Sequence, residues 1–248
     1  MDRLSIQNMY ASVREYLQDL TESGVDGIPA GPPSAQPEEL PAPKPVVAAP
    51  ATSLEQIRRQ LGDCQRCELA RTRRHLVFGS GNENARLLFV GEAPGADEDK
   101  QGQPFVGEAG QILTRMIEAM GLKREQVYIC NVLKCRPPAN RNPHKDEITA
   151  CSPFLIQQIE VIKPEVIVAL GTFAAQTLLG SKEPISRLRG HFHDCHGIAL
   201  MPTFHPSFLL HHKENKQHFW DVWSDMEQVL KRLGLPIPEK KRQTSSPT

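Results

Sequence analysis

The sequence of 248 residues contains no apolar run approaching the ~20 residues that a membrane-spanning helix requires. Its start, Met1-Asp2-Arg3-Leu4, lacks the basic and apolar regions of a secretory signal. Charge of either sign is not in excess, with 29 Lys and Arg against 29 Asp and Glu. These absences argue against a membrane partner and lead us to expect a cytoplasmic protein. Structural disulfides are disfavoured in that compartment. The six cysteines therefore call for a metal, a catalytic thiol or buried free thiols. Histidine is missing upstream of Cys64. That removes a zinc deaminase, whose signature needs His-x-Glu ahead of Pro-Cys-x-x-Cys. A dinucleotide fingerprint is missing too, because Gly79-Ser80-Gly81 precedes a strand instead of following one.

The charge balance hides an asymmetry. Residues 1–52 hold three basic residues against seven acidic ones, so the body of the chain is mildly basic, as a nucleic-acid partner would favour. Residues 1–27 read as an amphipathic helical arm, with Ile6, Met9, Val13, Tyr16, Leu17 and Leu20 near one face. A Pro- and Ala-rich linker follows at 28–52, eight of its residues being proline. Such a composition buries no core and favours extended backbone. The compact domain is expected over 53–235, with a disordered tail at 236–248. Its helices are expected after Ser53 (a capping-box pattern with Gln56), over about 109–120, 145–162 with Pro153 as a kink or restart, 172–179 and 214–233. Strands are expected at Leu87–Val90, Val127–Cys130, Val166–Leu170 and Ile198–Met201. The alternation predicts an α/β three-layer sandwich with a central parallel four-stranded sheet flanked by helices.

Cys64-x2-Cys67, Cys135 and Cys151 form the one cysteine pattern with metal-ligand spacing. The pair chelates from a tight turn, and the other two lie in a Pro-rich loop and on the following helix. Four thiolates suit structural zinc or an iron–sulfur cluster. A thioredoxin-like redox pair competes, but this pair precedes the first sheet strand. Cys130 and Cys195 read as free thiols. Histidines 191, 193, 196, 211 and 212 read as surface and turn residues rather than metal ligands.

Five segments fall at expected strand ends, where open α/β sheets bind ligands. They are Gly91-Glu92-Ala93-Pro94-Gly95 followed by Asp97 and Glu98, then GQPFVG at 102–107, Asn131 with the KCRPPANR run at 134–141, Gly171-Thr172, and Thr203 to Leu210 containing His205-Pro206-Ser207. Taken singly, Glu92 is a turn acid, Phe105 a core residue, Asn131 a strand-end cap and His205 a loop histidine. Together, GEAPG, GQPFVGEAG, NVLKCRPPANRNP, HPSFLL and the four cysteines resemble the iron–sulfur, family 4 uracil-DNA glycosylases. The likeness runs from about Ser53 to Leu233 and leaves the arm and linker outside.

The resemblance implies a monofunctional glycosylase, expected to act as a monomer on uracil-containing DNA, single- or double-stranded, and to leave an abasic site. No lysine nucleophile for a lyase step is evident. It implies Glu92 as catalytic carboxylate, His205 either as stabiliser of charge on uracil O2 or as holder of the DNA loop, and Gly91 and Ala93 in the turn beside uracil. It implies Phe105 as the stacking ring and Asn131 as the reader of the O4 and N3–H edge. Glu98 is expected near C5, where it excludes thymine. Lys134, Arg136, Arg141 and Ser207 are expected on phosphates, with Arg189 a further candidate. Phe208, Leu209 and Leu210 are expected to form an apolar wedge in a loop. Cys64, Cys67, Cys135 and Cys151 would hold a [4Fe-4S] cluster. Glu92 argues against relatives with an apolar residue there, and the lack of a basic insertion between Cys135 and Cys151 argues against those that trap abasic DNA. The arm is a further departure and could dock a protein partner. The rival reading is a catalytically silent iron–sulfur DNA-binding module.

Overall fold

A computed structural model describes residues 51–238. The expected arm, almost all of the linker and the tail beyond 238 lie outside the described residues. Six strands are present: β1 (Ser80–Gly81), β2 (Leu87–Gly91), β3 (Tyr128–Asn131), β4 (Val166–Leu170), β5 (His193–Cys195) and β6 (Ile198–Thr203). They form one sheet in the order β1-β3-β2-β4-β6-β5. The inner strands β3, β2, β4 and β6 run parallel, and β1 and β5 pair antiparallel at the two edges. The expected sheet of four parallel strands is thus corrected to a mixed sheet of six. Two- and three-residue strands carry too little alternation to stand out in a sequence.

The helices are α1 (Leu54–Leu61), α2 (Ala96–Gln101), α3 (Glu108–Ala119), α4 (Lys145–Ile162), α5 (Thr172–Leu179), α6 (Ile185–Leu188), α7 (Pro206–His211) and α8 (Lys216–Arg232). Ser53 caps α1 by accepting the Gln56 N–H at 3.2 Å, a contact worth ~1 kcal/mol at such ends. The Gln56 side chain turns to Thr52 instead of closing a capping box on Ser53. Helix α4 runs unbroken through Pro153.

Every residue of β2 and β4 is buried, because helices cover both faces of the sheet. Leu88, Val90, Cys130, Ile167 and Ala169 face one core with Ile57 of α1, Leu155 of α4 and Ala175 of α5. Leu87, Phe89, Ile129, Val168 and Leu170 face the other with Leu113 and Ile117 of α3 and Val229 of α8. Strand β2 pairs with β3 on one side and β4 on the other. After β2 the chain moves one way to β3, then crosses back to β4. The carboxyl ends beside β2 therefore diverge, which opens a crevice at this point of an open α/β sheet. No helix among the described residues is long and apolar enough to cross a membrane.

Candidate active site

The carboxyl ends of all four inner strands line one crevice of about 470 Å³. Glu92 and Ala93 follow β2, Asn131 ends β3, Gly171 and Thr172 follow β4, and Phe204 and His205 follow β6. Phe105 enters from the loop between α2 and α3. Gly91 acts beneath them through what it lacks. A Cβ there would lie 2.4 Å from Asn131 Oδ1 and 2.5 Å from the Phe105 ring. Phe105 itself sits at φ 52, a left-handed conformation that costs a non-glycine residue of order 1 kcal/mol. Two features hold it there. Gly110 packs so closely that a Cβ would come within 2.1 Å of the Phe105 carbonyl. The half-buried Arg124 guanidinium donates to the Pro104 carbonyl and to Thr114 Oγ1. Nothing in the sequence marked Arg124 for this role, since it lies twenty positions away on an unrelated turn.

Asn131 is 1% exposed, and its Oδ1 has no hydrogen-bond partner. A buried acceptor left unmade costs ~1–3 kcal/mol, so this atom is poised for a donor from a ligand. Glu92 is half-buried, and burial alone pushes its carboxyl up to about 7. Its backbone is fixed by β3, whose continuation donates Val132 N–H to Gly91 O and Leu133 N–H to Glu92 O.

His205 sits against Gly171, where φ is +87 and a Cβ would lie 3.0 Å from that of His205. Ser207 N–H donates to Nδ1 at 3.1 Å, with Ser207 Oγ 2.7 Å from the same atom. An accepting Nδ1 leaves the ring proton on Nε2. Burial pulls the ring down to about 4, against the opposing charge of Glu98, so the imidazole is neutral at physiological pH. Its ring centroid lies 5.7 Å from that of Phe105. Glu98 is a clamp between two loops. Its carboxylate accepts from Gly95 N–H at 3.0 Å, Val106 N–H at 2.8 Å and Gly107 N–H at 2.9 Å.

Several residues expected on DNA are placed elsewhere. Lys134 is 0% exposed, and its Nζ donates to Asn131 O at 2.8 Å and Gln158 Oε1 at 2.6 Å. It reaches no phosphate. Arg141 lines the crevice but is forked onto the buried Glu147. Arg189 is forked onto the buried Asp225. The expected wedge loop is the short helix α7, which turns Leu209 into the core at 3% exposure. Phe208 stays at the crevice edge, its ring 4.8 Å from Phe204 and 4.2 Å from His212. Ser207 is occupied by His205. Arg136 is half-exposed and bonded only to a neutral group, Asn140 Oδ1 at 2.8 Å.

Cys64, Cys67, Cys135 and Cys151 line a second, small cavity, and none is in a disulfide. N–H donors point at their sulfurs: Arg66 at Cys64 (3.3 Å), Arg73 at Cys135 (3.6 Å) and the Lys134 main chain at Cys151 (3.3 Å). Burial, with a smaller push from neighbouring cysteines and against the pull of Arg73 and Lys134, holds the Cys135 thiol up at about 12 and that of Cys151 at about 11. Sulfurs that repel one another as thiolates, yet are ringed by cations and N–H groups, fit a metal-bound set. Among the described residues no three His, Cys, Asp or Glu side chains are gathered to hold a single ion. Cys130 and Cys195 are buried and unpaired.

Comparison with known proteins gives this geometry a family. The model of the Uracil DNA glycosylase superfamily matches residues 78–227. The Type-4 uracil-DNA glycosylase of Archaeoglobus fulgidus is 43% identical over 194 residues, which cover 75% of this chain and 96% of the relative. That of Thermotoga maritima is 47% identical over 165 residues, covering 66% of this chain and 86% of the relative. That of Saccharolobus solfataricus is 45% identical over 194 residues, covering 75% and 90%. The chain belongs to the uracil DNA glycosylase superfamily and, within it, to the type-4 uracil-DNA glycosylases.

Proposed function

We propose that the protein releases uracil from DNA by hydrolysing the N-glycosidic bond of deoxyuridine, leaving an abasic site for base-excision repair. The observation that carries this reading is the unpartnered Asn131 Oδ1 in a crevice shared with Phe105 and Glu92. A base must leave the stack to be reached, and a crevice of this size accepts one nucleotide. Uracil presents N3–H to Asn131 Oδ1 and O4 to its Nδ2. Cytosine presents a bare N3 and an amine, which oppose both groups. Phe105 lies against the base. Glu98 holds the turn beside uracil C5 and leaves little room for a methyl group there.

Bond cleavage puts positive charge on the sugar and negative charge on uracil N1. Glu92, ionised above about 7, takes a proton from the attacking water and faces the cationic sugar. The water oxygen bonds to C1′ as the C1′–N1 bond breaks, and the uracil anion is then protonated by solvent. The neutral His205 donates Nε2–H to the charge growing on uracil O2. Among the described residues no lysine lines the crevice to serve as the nucleophile of a Schiff-base lyase step. Phe208 at the rim fills the gap left by the extruded nucleotide, and Arg136 meets a phosphate.

Cys64, Cys67, Cys135 and Cys151 would hold a [4Fe-4S] cluster through their thiolates. All four line one cavity. When bound, the cluster ties the Cys64–Cys67 segment to the loop after β3 and to α4. The test is uracil release from a uracil-containing oligonucleotide by purified brown holoprotein. Binding of that DNA without release of base would establish the silent module instead.

A further inference from the structure

Lys134 is among the most deeply buried large side chains of the protein, and it is a cation. Its acceptors, the Asn131 carbonyl and Gln158 Oε1, are both neutral. Among the described residues no carboxylate lies within ion-pair distance of it. A buried ammonium without an anion destabilises the fold. A negative charge would stand close by once the four cysteines bind as thiolates. Lys134 lines the cavity of the four cysteines, and its own N–H meets Cys151 Sγ at 3.3 Å. Its other contacts run toward the base crevice. Nζ grips the carbonyl of Asn131, the residue whose carboxamide faces the ligand. Gln158 completes the anchor by donating Nε2–H to Phe78 O at 3.0 Å.

We propose that Lys134 is a positioning residue for base recognition, acting at once as counter-cation of the four-cysteine site and as the tether of the Asn131 main chain. The inference rests on the uracil-excision reading above. One residue then locks the sulfur site to the base-reading carboxamide, and through the Leu133 N–H to Glu92 O bond it steadies the catalytic carboxylate as well.

The test uses holoenzyme carrying Lys134→Met, which keeps the volume and removes the charge. Three results are expected. The inhibition constant of free uracil rises roughly tenfold, as when a supporting partner of a ligand-touching group is lost. The cluster's reduction potential moves to a more negative value, because a nearby cation no longer favours the electron. The salt slope of binding to uracil-free DNA stays at the wild-type value, since no phosphate contact is lost. Wild-type uracil inhibition with a wild-type potential would overturn the inference, and so would a salt slope reduced by one. Gln158→Leu keeps the charge and loosens the tether. It should weaken uracil inhibition and leave the potential unchanged; equal potential shifts in both variants would mean altered packing and overturn the proposal. Should Lys134→Met give no soluble brown protein, Gln158→Leu decides alone, with unchanged uracil inhibition as the overturning result. Failure of the wild-type holoenzyme itself to release uracil would instead sink the functional reading.

Discussion

The base crevice and the four-cysteine cavity adjoin at residues 131–135 and treat buried polarity in opposite ways. The crevice leaves its polar groups wanting. Asn131 Oδ1 has no donor, Glu92 is pushed up to about 7, and His205 is driven neutral. Each is a cost to the folded chain that a substrate can relieve. The cysteine cavity surrounds its sulfurs with Arg66, Arg73 and the Lys134 main chain. Substitutions in the crevice should therefore lose activity while sparing or raising stability. Substitutions of the two arginines around the cysteines should do the reverse, Lys134 being the residue that joins the two regions.

Glu92→Gln makes the sharpest version of that contrast. Removing a general base costs ~10²–10⁴-fold in rate, so single-turnover uracil release should fall by about 10³-fold. Stability should move the other way, with a definite pH window. The folded carboxyl titrates near 7 and the unfolded one near 4.5. Between those values the unfolded chain has released its proton and the folded chain has not, so wild-type stability declines as pH rises through the window. Gln cannot ionise. The variant should melt above wild type at pH 8 and level with it at pH 5. Wild-type kcat/KM should rise through about pH 7 as Glu92 ionises. A variant that melts below wild type at pH 8 would break the comparison on the crevice side.

Asn131→Leu removes the unpartnered oxygen and the reading edge together. Uracil discrimination carried by two hydrogen bonds is worth at least ~10²-fold, so kcat/KM should fall by about that factor. Thermal melting should hold or rise, because no satisfied bond of the side chain is lost. On the other side of β3, Arg73→Met removes a cation that is 6% exposed and donates to Cys64 O at 2.7 Å and to Cys135 Sγ. Its loss should cost ~2 kcal/mol, or about 4–8 °C in Tm for a domain of this size. Turnover per mole of intact cluster should stay near wild type. A large fall in that turnover with unchanged Tm would erase the distinction between the two regions.

The same contrast explains what could be read in advance. Long elements were legible. The periodicity of residues 145–162 and 172–179 matched α4 and α5 end for end, and Leu87–Val90 found β2 to within a residue. The crevice was legible because Glu92, Asn131 and His205 each stand where a strand gives way to a turn, and Phe105 lies in a Gly- and Pro-bounded loop. What could not be read was which cations face inward. Lys134 and Arg141 lie in one basic, Pro-rich run that looks like a phosphate grip. Only the fold shows that β3 carries Lys134 under the sheet end and that Glu147, six positions on, captures Arg141. Leu209 failed for a related reason. Pro206 starts a helix as readily as it marks a loop, and the helical turn rotates Leu209 into the core.

Arg136 and Arg141 offer the finest test, because they lie five residues apart and were alike in sequence. Arg136 Nε rests on a neutral amide, so its charge remains available to DNA. Arg141 gives both Nη groups to a carboxylate that is 1% exposed. A phosphate contact contributes ~0.7–0.9 to the slope of log K against log salt. Arg136→Ala should reduce that slope by about this amount, with kcat unchanged. Arg141→Ala should leave the slope alone and lower Tm by several degrees, because Glu147 is left buried without its partner. The Glu147 effect has its own sign. Arg141 holds that carboxyl below its usual range, so the stability it contributes is present above the unfolded pKa and fades as pH falls through the folded one. The Tm gap between wild type and Arg141→Ala should therefore be full at pH 7 and shrink on acidification. Equal loss of salt slope in the two variants would show that Arg141 leaves Glu147 when DNA binds.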